Sequence, residues 1–278
     1  MNKRYLRIHD LSIAIHESDG QDHPAMFFLH GNSQAGSVFA HQFHGTLGQR
    51  FRIVAMDLPG HGDSSPAADP DTTYTLPGYT TVIQDVARHL ALGPTIFVGH
   101  SLGGHLLIQA TPSLPSLTGL LVFGTPPLQH PPRLDQAFLP HPATALILQE
   151  SLSEIEAELW AKAQTRHPLP RQTDHLRDLM RHTDPRCRSR LGQSLQRDPW
   201  QDECLLLQRL NVPFAIVLGE QDPFINHSYC HALPLPGLWK GKIQIMEGCG
   251  HAPHMEAPAR FDALLMAFME TCTQANHP

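Results

Sequence analysis

Ile96-Phe97-Val98-Gly99-His100-Ser101-Leu102-Gly103-Gly104-His105 is the stretch of sequence that decides the fold. Residues 95–98 form a short apolar run, which predicts a buried strand, and apolar residues at helical spacing begin at Leu102. The strand therefore turns directly into a helix at Ser101, and such a turn forces its central residue into a strained backbone conformation. The residues two positions away on either side must then lack a Cβ atom, and Gly99 and Gly103 meet that need.

Gly-x-Ser-x-Gly at a strand-to-helix turn is the pattern of a nucleophile elbow. The turn directs the Ser101 hydroxyl out of the sheet. It also leaves the backbone N–H of Leu102 at a helix N-terminus, where it can stabilise negative charge. The alternative is an ordinary serine in a glycine-rich turn, because five-residue patterns recur by chance. The rest of the sequence decides between the two interpretations.

The composition is that of a globular protein without a nucleic-acid or membrane partner. Of the 278 residues, 41% are hydrophobic and 17% are charged, and the formal net charge of −6 provides no basic surface for nucleic acid. No apolar run approaches membrane-spanning length, and no apolar signal segment follows the N-terminus. The five cysteines contain no Cys-x-x-Cys pair, which favours reduced thiols. We therefore expect a cytoplasmic protein, and the oligomeric state stays open.

Strands and helices alternate along most of the chain. Residues 5–9 and 12–16 predict a short antiparallel pair, and buried strands are predicted over residues 25–29, 51–56, 95–98, 117–123, 212–219 and 242–246. Helices are predicted over residues 36–48, 78–92 and 256–273. This alternation indicates right-handed βαβ units, so the predicted fold class is α/β, with a mostly parallel twisted sheet and helices on both faces.

The alternation stops at Thr125-Pro126-Pro127. From there to about Trp200 the sequence is rich in Pro, Arg, Gln and His and contains no apolar strand. Helical patches lie over residues 143–166, 172–183 and 187–196. We expect residues 125–200 to form a helical cap inserted into a core made of residues 1–124 and 201–278.

A nucleophilic Ser101 needs a base, and the base needs a carboxylate that orients it. In open α/β sheets such residues come from loops at the carboxyl ends of strands. Asp222 follows the strand that ends at Gly219, and His251 follows the strand that ends near residue 246. We expect the catalytic groups to be Ser101, Asp222 and His251, with Glu220 as the competing acid and His254 as the competing base.

The oxyanion of an acyl-transfer reaction needs two N–H donors. A strand that ends in His30-Gly31 places the backbone N–H of Asn32 opposite that of Leu102. We expect these two amides to form the oxyanion hole, in which losing one donor typically raises the barrier by ~3 kcal/mol.

Taken together, the motifs resemble those of the α/β-hydrolase superfamily over the whole chain. They are, in order, His30-Gly31-Asn32, Asp57-Leu58-Pro59-Gly60-His61-Gly62, Gly99-His100-Ser101-Leu102-Gly103-Gly104, Gly219-Glu220-Gln221-Asp222 and His251-Ala252-Pro253. The resemblance implies the α/β-hydrolase fold with a Ser-His-Asp triad. Members that open epoxides or displace halide use Asp at the elbow. Ser101 therefore favours acyl transfer to water.

A closer resemblance is to the N-acyl-homoserine lactonases of this fold, which quench bacterial quorum-sensing signals without a metal. It adds Gly124-Thr125-Pro126-Pro127 and Glu256-Ala257-Pro258 to the shared segments. The resemblance implies a small ester or lactone as substrate and no cofactor or metal. It also implies that the Asn32 side chain contacts the ligand. A cap tyrosine helps to bind the lactone in that family, and Trp160 is the nearest match, with a plain core residue as the alternative.

The metal-dependent lactonases of another fold carry His-x-His-x-Asp-His. The nearest text here is His61-Gly62-Asp63, which lacks the flanking histidines. We therefore expect His61 to be structural.

Three functions remain compatible with these residues. The first is a serine hydrolase that opens the ring of N-acyl-homoserine lactones, either through an acyl-enzyme on Ser101 or through a water activated by His251. The second is a general carboxylesterase for small alkyl or aryl esters, which shares every catalytic residue. The third is a ligand receptor that keeps the triad without turnover, and fold alone does not exclude it.

Overall fold

Eight strands form one sheet within residues 1–275, the part of the chain that this computed structural model describes. In chain order they are β1 (Asn2–Ile8), β2 (Leu11–Glu17), β3 (Asp22–Leu29), β4 (Phe51–Met56), β5 (Thr95–His100), β6 (Leu117–Phe123), β7 (Phe214–Gly219) and β8 (Gln244–Met246). Their order across the sheet is β1-β2-β4-β3-β5-β6-β7-β8. β2 is antiparallel to β1 and β4, and the other neighbours are parallel. The predicted mostly parallel sheet is confirmed.

Helices pack on the sheet through their apolar sides. In chain order they are α1 (Ala40–His44), α2 (Thr46–Arg50), α3 (Pro70–Thr73), α4 (Leu76–Leu90), α5 (Leu102–Ala110), α6 (Leu134–Ala137), α7 (Pro142–Leu146), α8 (Glu154–Ala163), α9 (Pro170–His182), α10 (Arg186–Arg197), α11 (Glu203–Gln208), α12 (His227–Ala232), α13 (Pro253–Glu256) and α14 (Pro258–Ala275). α4 packs against α5, whereas α14 packs against α1 and β6. None of the helices within residues 1–275 is long and apolar enough to cross a membrane.

One predicted helix is broken in the structure, and another begins two residues later than expected. The helix expected over residues 36–48 is a 3₁₀ turn (Gly36–Phe39) followed by α1 and α2, because Gly45 between them is extended, with ψ at −178°. The helix expected over residues 256–273 is confirmed as α14. α14 begins at Pro258 because the residue before a proline is disfavoured in helical backbone, and α13 is a separate short helix before it.

The chain between β6 and β7, residues 124–213, is called here the helical insertion. It holds α6 to α11, and within it α7 and α8 lie in the helical patch predicted over residues 143–166. Ser153 begins α8 as the N-cap of a capping box with Glu156, which is why the helix starts there. The predicted cap over residues 125–200 lies inside this insertion, and its boundaries as a domain stay a prediction.

The strand order reverses beside β3, which creates a crevice at the carboxyl edge of the sheet. β3 leads to β4 on one side, whereas β5 pairs with β3 on the other side, Leu29 opposite Gly99. Loops that leave neighbouring strands in opposite directions leave a gap between them, and ligands of open α/β sheets bind there. The loops that begin at His30 and Ser101 flank this gap.

Asp57, directly after β4, fixes the loops on one side of the crevice. Its Oδ1 accepts the Gly36 N–H at 2.7 Å and lies 3.0 Å from His16 Nε2, and its Oδ2 accepts the Asp63 N–H at 2.9 Å. Burial by itself would raise the pKa of Asp57. The hydrogen bond and charge of His16, with the Asp63 N–H, hold that pKa below its usual range instead. The buried carboxylate therefore stabilises the fold in its ionised form.

We expect Asp57→Asn to lower the free energy of unfolding by about 3 kcal/mol, because an amide cannot accept from all of these donors. Urea unfolding followed by circular dichroism at neutral pH measures the loss. Asp63→Asn is the matched control, since that side chain is half exposed and pairs with Lys3, so its loss should stay below about 0.5 kcal/mol. The Asp57 contribution should be present above about pH 4 and disappear as the pH falls through its lowered pKa. Equal losses in the two variants would contradict this account.

Candidate active site

Ser101 lies between β5 and α5 in a strained backbone conformation. Its φ is 52° and its ψ is −118°, which a non-glycine residue adopts only at a cost of about 1–3 kcal/mol. The Ser101 N–H donates to the Phe123 carbonyl oxygen at 2.9 Å, and the Thr125 hydroxyl donates to the Ser101 carbonyl oxygen at 2.9 Å. The end of β6 therefore holds the turn on both sides of the serine.

Glycines allow the first turn of α5 to approach the neighbouring strands. A Cβ atom on Gly99 would lie 2.6 Å from the Gly104 Cα, and one on Gly103 would overlap the Leu29 carbonyl oxygen. A Cβ atom on Gly104 would overlap the Thr125 hydroxyl. The close approach expected at Gly99 and Gly103 is present, and Gly104 is a third such position that the pattern alone did not identify.

Asp222 and His251 meet at the carboxyl ends of β7 and β8. Asp222 Oδ2 lies 2.7 Å from His251 Nδ1, and both side chains are buried. Asp222 Oδ1 accepts the Phe224 N–H at 2.9 Å, and the Phe224 ring packs edge-on against the imidazole. Because a carboxylate only accepts hydrogen bonds, Nδ1 carries the proton and Nε2 is left for other chemistry. His251 and Ser101 line the same cavity.

The two competing residues lie elsewhere. Glu220 is exposed, and its carboxylate accepts the Gly248 N–H at 2.8 Å. His254 is fully buried between Phe39 and Phe123, and neither of its ring nitrogens has a hydrogen-bond partner. Burial lowers the pKa of His254 to about 3. The geometry thus brings Asp222 and His251 together and leaves Glu220 and His254 out of that contact.

Asn32 follows β3 and, like Ser101, lines the cavity. Its side chain is held at both ends, because Nδ2 donates to the Ile147 carbonyl oxygen at 2.9 Å and Oδ1 accepts from the Ser33 hydroxyl at 2.8 Å. Within residues 1–275, no acceptor takes the backbone N–H of Asn32 or of Leu102, the first residue of α5. Both amides are therefore available to a ligand.

Arg188 of α10 ties this loop to the helical insertion. Its side chain is 3% exposed, and it donates to the Ser33 hydroxyl at 3.3 Å and to the carbonyl oxygens of Gln149 and Glu150 at 2.7 and 2.9 Å. Burial lowers the pKa of the guanidinium. Sequence analysis missed Arg188, because an arginine in a polar helical patch carries no local signal of burial.

A cavity of about 220 Å³ opens beside Ser101. Trp160 of α8 lines it and is 2% exposed. The helical insertion supplies most of its apolar wall, including Leu134, Phe138, Ile147, Leu148, Leu191 and Leu195. A buried pair, His105 and Glu203, also lines the wall, with His105 Nδ1 2.9 Å from Glu203 Oε2. Glu203 lies outside every motif, so sequence analysis did not find this pair.

His61, expected to be structural, lies outside the cavity wall. It is buried, its Nδ1 donates to the Pro59 carbonyl oxygen at 3.0 Å, and its ring packs against His30. Burial lowers the pKa of His61 to about 3. Within the described part of the chain, no three His, Cys, Asp or Glu side chains come together in a way that could hold a metal ion.

The comparisons with known proteins agree with this architecture. The model of the alpha/beta hydrolase family matches residues 26–264. A solved structure of the N-acyl homoserine lactonase AidH, complexed with N-butanoyl homoserine, is 34% identical, with a TM-score of 0.93 over 99% of this chain and 98% of that chain. A putative aryl esterase from Burkholderia cenocepacia is 17% identical, with a TM-score of 0.82 over 98% of this chain and 100% of that chain. An uncharacterized protein of Mycobacterium tuberculosis is 28% identical, and the match spans 91% of this chain and 77% of that protein.

We expect His254→Phe to make the protein more resistant to acid unfolding. The unfolded chain binds a proton at His254 below about pH 6.5, whereas the folded chain does so only near pH 3. Between these two values, the free energy of unfolding of the wild type therefore falls by about 1.4 kcal/mol for each pH unit of acidification. As the pH falls from 7.5 to 5, the free energy of unfolding of the variant should therefore rise by about 2 kcal/mol relative to that of the wild type. Urea unfolding at both pH values measures this difference. Parallel pH dependences would contradict the neutral, unpartnered state of His254.

Proposed function

Because the chain belongs to the alpha/beta hydrolase family, we propose that it is a serine hydrolase that opens the lactone ring of N-acyl-homoserine lactones. In broader terms, it is a hydrolase that acts on ester bonds. Ser101 is the proposed nucleophile, with His251 as its base and Asp222 as the group that orients the base. Asn32 and Leu102 supply the proposed oxyanion hole.

The extent of the match to AidH carries this proposal. With 34% identity and a TM-score of 0.93, it covers 99% of both chains in the structure of an AidH mutant complexed with N-hexanoyl homoserine lactone, so it includes the helical insertion. The insertion supplies most of the apolar wall beside Ser101, and such a wall determines which acyl group fits. The more distant aryl esterase shares the fold, and fold alone does not choose the substrate.

The first step is proton transfer from Ser101 to His251. His251 Nε2 is the acceptor, because the contact of Nδ1 with Asp222 at 2.7 Å keeps the proton on that nitrogen. The buried Asp222 carboxylate then stabilises the imidazolium that forms. Asp222 keeps its orientation through the N–H of Phe224.

Negative charge develops on the lactone carbonyl oxygen as the carbonyl carbon is attacked. The amides of Asn32 and Leu102 are the donors for this charge, and the Leu102 amide adds the favourable field of the α5 N-terminus. The strained turn at Ser101 holds the Leu102 amide in place, whereas the hydrogen bonds of the Asn32 side chain hold the Asn32 amide. Both donors are thus fixed before the substrate arrives.

The ring opens when the bond between the carbonyl carbon and the ring oxygen breaks. In the acyl-enzyme route Ser101 Oγ has attacked, the ring oxygen takes the proton from His251, and a water then releases the acid and restores Ser101. In the second route His251 activates the water directly and Ser101 positions it. Either way one water is added and an N-acyl-homoserine is formed.

The acyl chain is proposed to occupy the apolar cavity, with Trp160 and Asn32 contacting the ligand. The Trp160 indole offers an N–H donor on a large apolar surface. The Asn32 side chain already bonds to Ile147 and Ser33. These two bonds hold the side chain and the backbone amide of Asn32 in one orientation, and Asn32 contributes to ligand binding in that orientation. The cysteine pattern supports the cytoplasm as the proposed location.

The proposal is tested by mass spectrometry of N-hexanoyl-homoserine lactone incubated with the wild type and with Ser101→Ala. The wild-type reaction should add the mass of one water to the substrate. Loss of the nucleophile should reduce this rate by about 10³-fold or more, since triad members act as a unit. A serine-directed phosphonate should label Ser101, and a residual rate within tenfold of the wild type would instead favour the route through activated water.

Other products would overturn the lactonase proposal. Release of free homoserine lactone would mean amide cleavage. An unchanged lactone, with p-nitrophenyl acetate still cleaved in a Ser101-dependent way, would assign the protein to the carboxylesterases. Tight binding of the lactone without any turnover would indicate a receptor.

A second prediction separates the two acidic residues after β7. Asp222→Asn should reduce kcat by about 10³–10⁴-fold, because an amide at this position stabilises the wrong tautomer of His251. Glu220→Gln is the matched control, and its exposed carboxylate contacts the Gly248 N–H rather than His251, so kcat should change less than about threefold. Steady-state kinetics on the same lactone, or on p-nitrophenyl acetate, measures both. A larger loss in Glu220→Gln than in Asp222→Asn would reverse the assignment.

A further inference from the structure

A buried acid–base pair interrupts the apolar wall of the cavity, and the proposed mechanism does not use it. His105 Nδ1 lies 2.9 Å from Glu203 Oε2 and 3.1 Å from Glu203 Oε1. The Glu203 side chain is 2% exposed and the His105 side chain 13%, and both residues line the cavity. A buried carboxylate is unfavourable unless it is paired. Apolar residues at these two positions would avoid that cost, so the presence of the pair in an apolar wall calls for a functional explanation.

The connection that Glu203 makes to the loop after β6 does not involve His105. Its Oε2 accepts the Leu128 N–H at 2.8 Å, and its own N–H donates to the Leu128 carbonyl oxygen at 2.9 Å. These bonds join the start of α11 to the loop after β6 whatever residue stands at position 105. The hydrogen bonds between Glu203 and Leu128 therefore do not explain why a polar ring stands at position 105.

The pair fixes which ring nitrogen faces the cavity. A carboxylate only accepts, so the contact with Glu203 places a proton on Nδ1. Within the described residues 1–275, no protein group pairs with His105 Nε2, although His105 lines the cavity. In the neutral ring this nitrogen offers a lone pair to whatever occupies the cavity.

The position of His105 suits the acyl chain of the proposed substrate. His105 follows Ser101 by one turn of α5, a rise of about 6 Å. In an N-acyl-homoserine lactone, the path from the lactone carbonyl carbon to C3 of the acyl chain spans about 6 Å when extended. A substituent at C3 thus reaches the level of His105 when the lactone carbonyl is at Ser101.

We propose that His105 and Glu203 form a subsite for a hydroxyl group at C3 of the acyl chain, so that 3-hydroxyacyl-homoserine lactones are the preferred substrates. This inference rests on the proposed function. A hydroxyl donates to the lone pair of Nε2, whereas a keto oxygen only accepts and meets that lone pair unfavourably. An unsubstituted chain leaves the nitrogen without a partner once water is expelled.

The experiment compares kcat/KM for N-hexanoyl-, N-(3-hydroxyhexanoyl)- and N-(3-oxohexanoyl)-homoserine lactone, with the two hydroxyl enantiomers measured separately. The wild type should prefer the faster hydroxyl enantiomer over the unsubstituted chain by about tenfold. His105→Leu should reduce this ratio to about one, whereas His105→Gln, which keeps a hydrogen-bonding group, should retain part of it. Because each ratio is internal to one enzyme preparation, partial loss of folded protein in a variant does not change it.

A wild-type ratio near one, or an equal ratio in wild type and His105→Leu, would overturn the subsite. A preference for the keto chain over the hydroxyl chain would overturn the hydroxyl assignment. If no lactone is hydrolysed, the proposed function fails by itself, and the same ratios are then measured with the p-nitrophenyl esters of hexanoate and 6-hydroxyhexanoate, in which the hydroxyl-bearing carbon again lies five bonds from the attacked carbonyl carbon. A hydroxyl preference that disappears in His105→Leu on those esters would still support the subsite, and its absence would overturn it.

Discussion

The direct turn from β5 into α5 at Ser101 is the constraint on which the rest of the structure depends. The strain at this residue, with φ at 52°, persists because the surroundings leave no room to relax. Gly103 lies against the carbonyl of Leu29 in β3, and Thr125 after β6 lies against Gly104. The same close packing continues to His251, since a Cβ atom on Gly124 would lie 2.9 Å from its Cε1. Close packing therefore acts together with the hydrogen bonds of this region to fix the serine, the neighbouring strands and the histidine relative to one another.

Sequence patterns predict the parts of this site that are determined locally. Gly99, Ser101 and Gly103 identify the turn because steric limits act over a few residues, and Asp222 and His251 follow strands whose apolar runs are unmistakable. The break at Gly45 was missed, because apolar periodicity continues across it whereas the helical backbone does not. Glu203 and Arg188 were missed for a different reason. Their partners lie far away in the sequence, and a local pattern does not predict a contact between distant residues.

Four histidines lie in this region, of which His105 and His251 line the cavity, and the environment of each rather than its motif decides its chemistry. Burial lowers the pKa values of His100 and His254, so both rings stay neutral. His100 Nε2 donates to the carbonyl oxygen of His251 at 2.9 Å and so supports the loop that carries that residue. By contrast, His251 and His105 contact carboxylates through Nδ1. The sequence alone does not distinguish these four histidines. The carboxylate contact fixes the tautomer of His251 and His105 and leaves Nε2 for a ligand, whereas the histidines without such a contact have structural roles.

The helical insertion and the loop after β3 share one set of hydrogen bonds, so the wall of the cavity and the proposed oxyanion donor are physically linked. Arg188 bonds to Ser33 and to the carbonyls of Gln149 and Glu150, while Asn32 bonds to the carbonyl of Ile147. A buried guanidinium without these oxygens would be strongly destabilising, so the segment that lines the cavity and the loop that carries the Asn32 amide must keep their relative positions together. A change in the insertion that moves the wall of the cavity therefore also moves the Asn32 amide, the proposed oxyanion donor. Substrate choice and barrier height in this fold are accordingly expected to change together rather than independently.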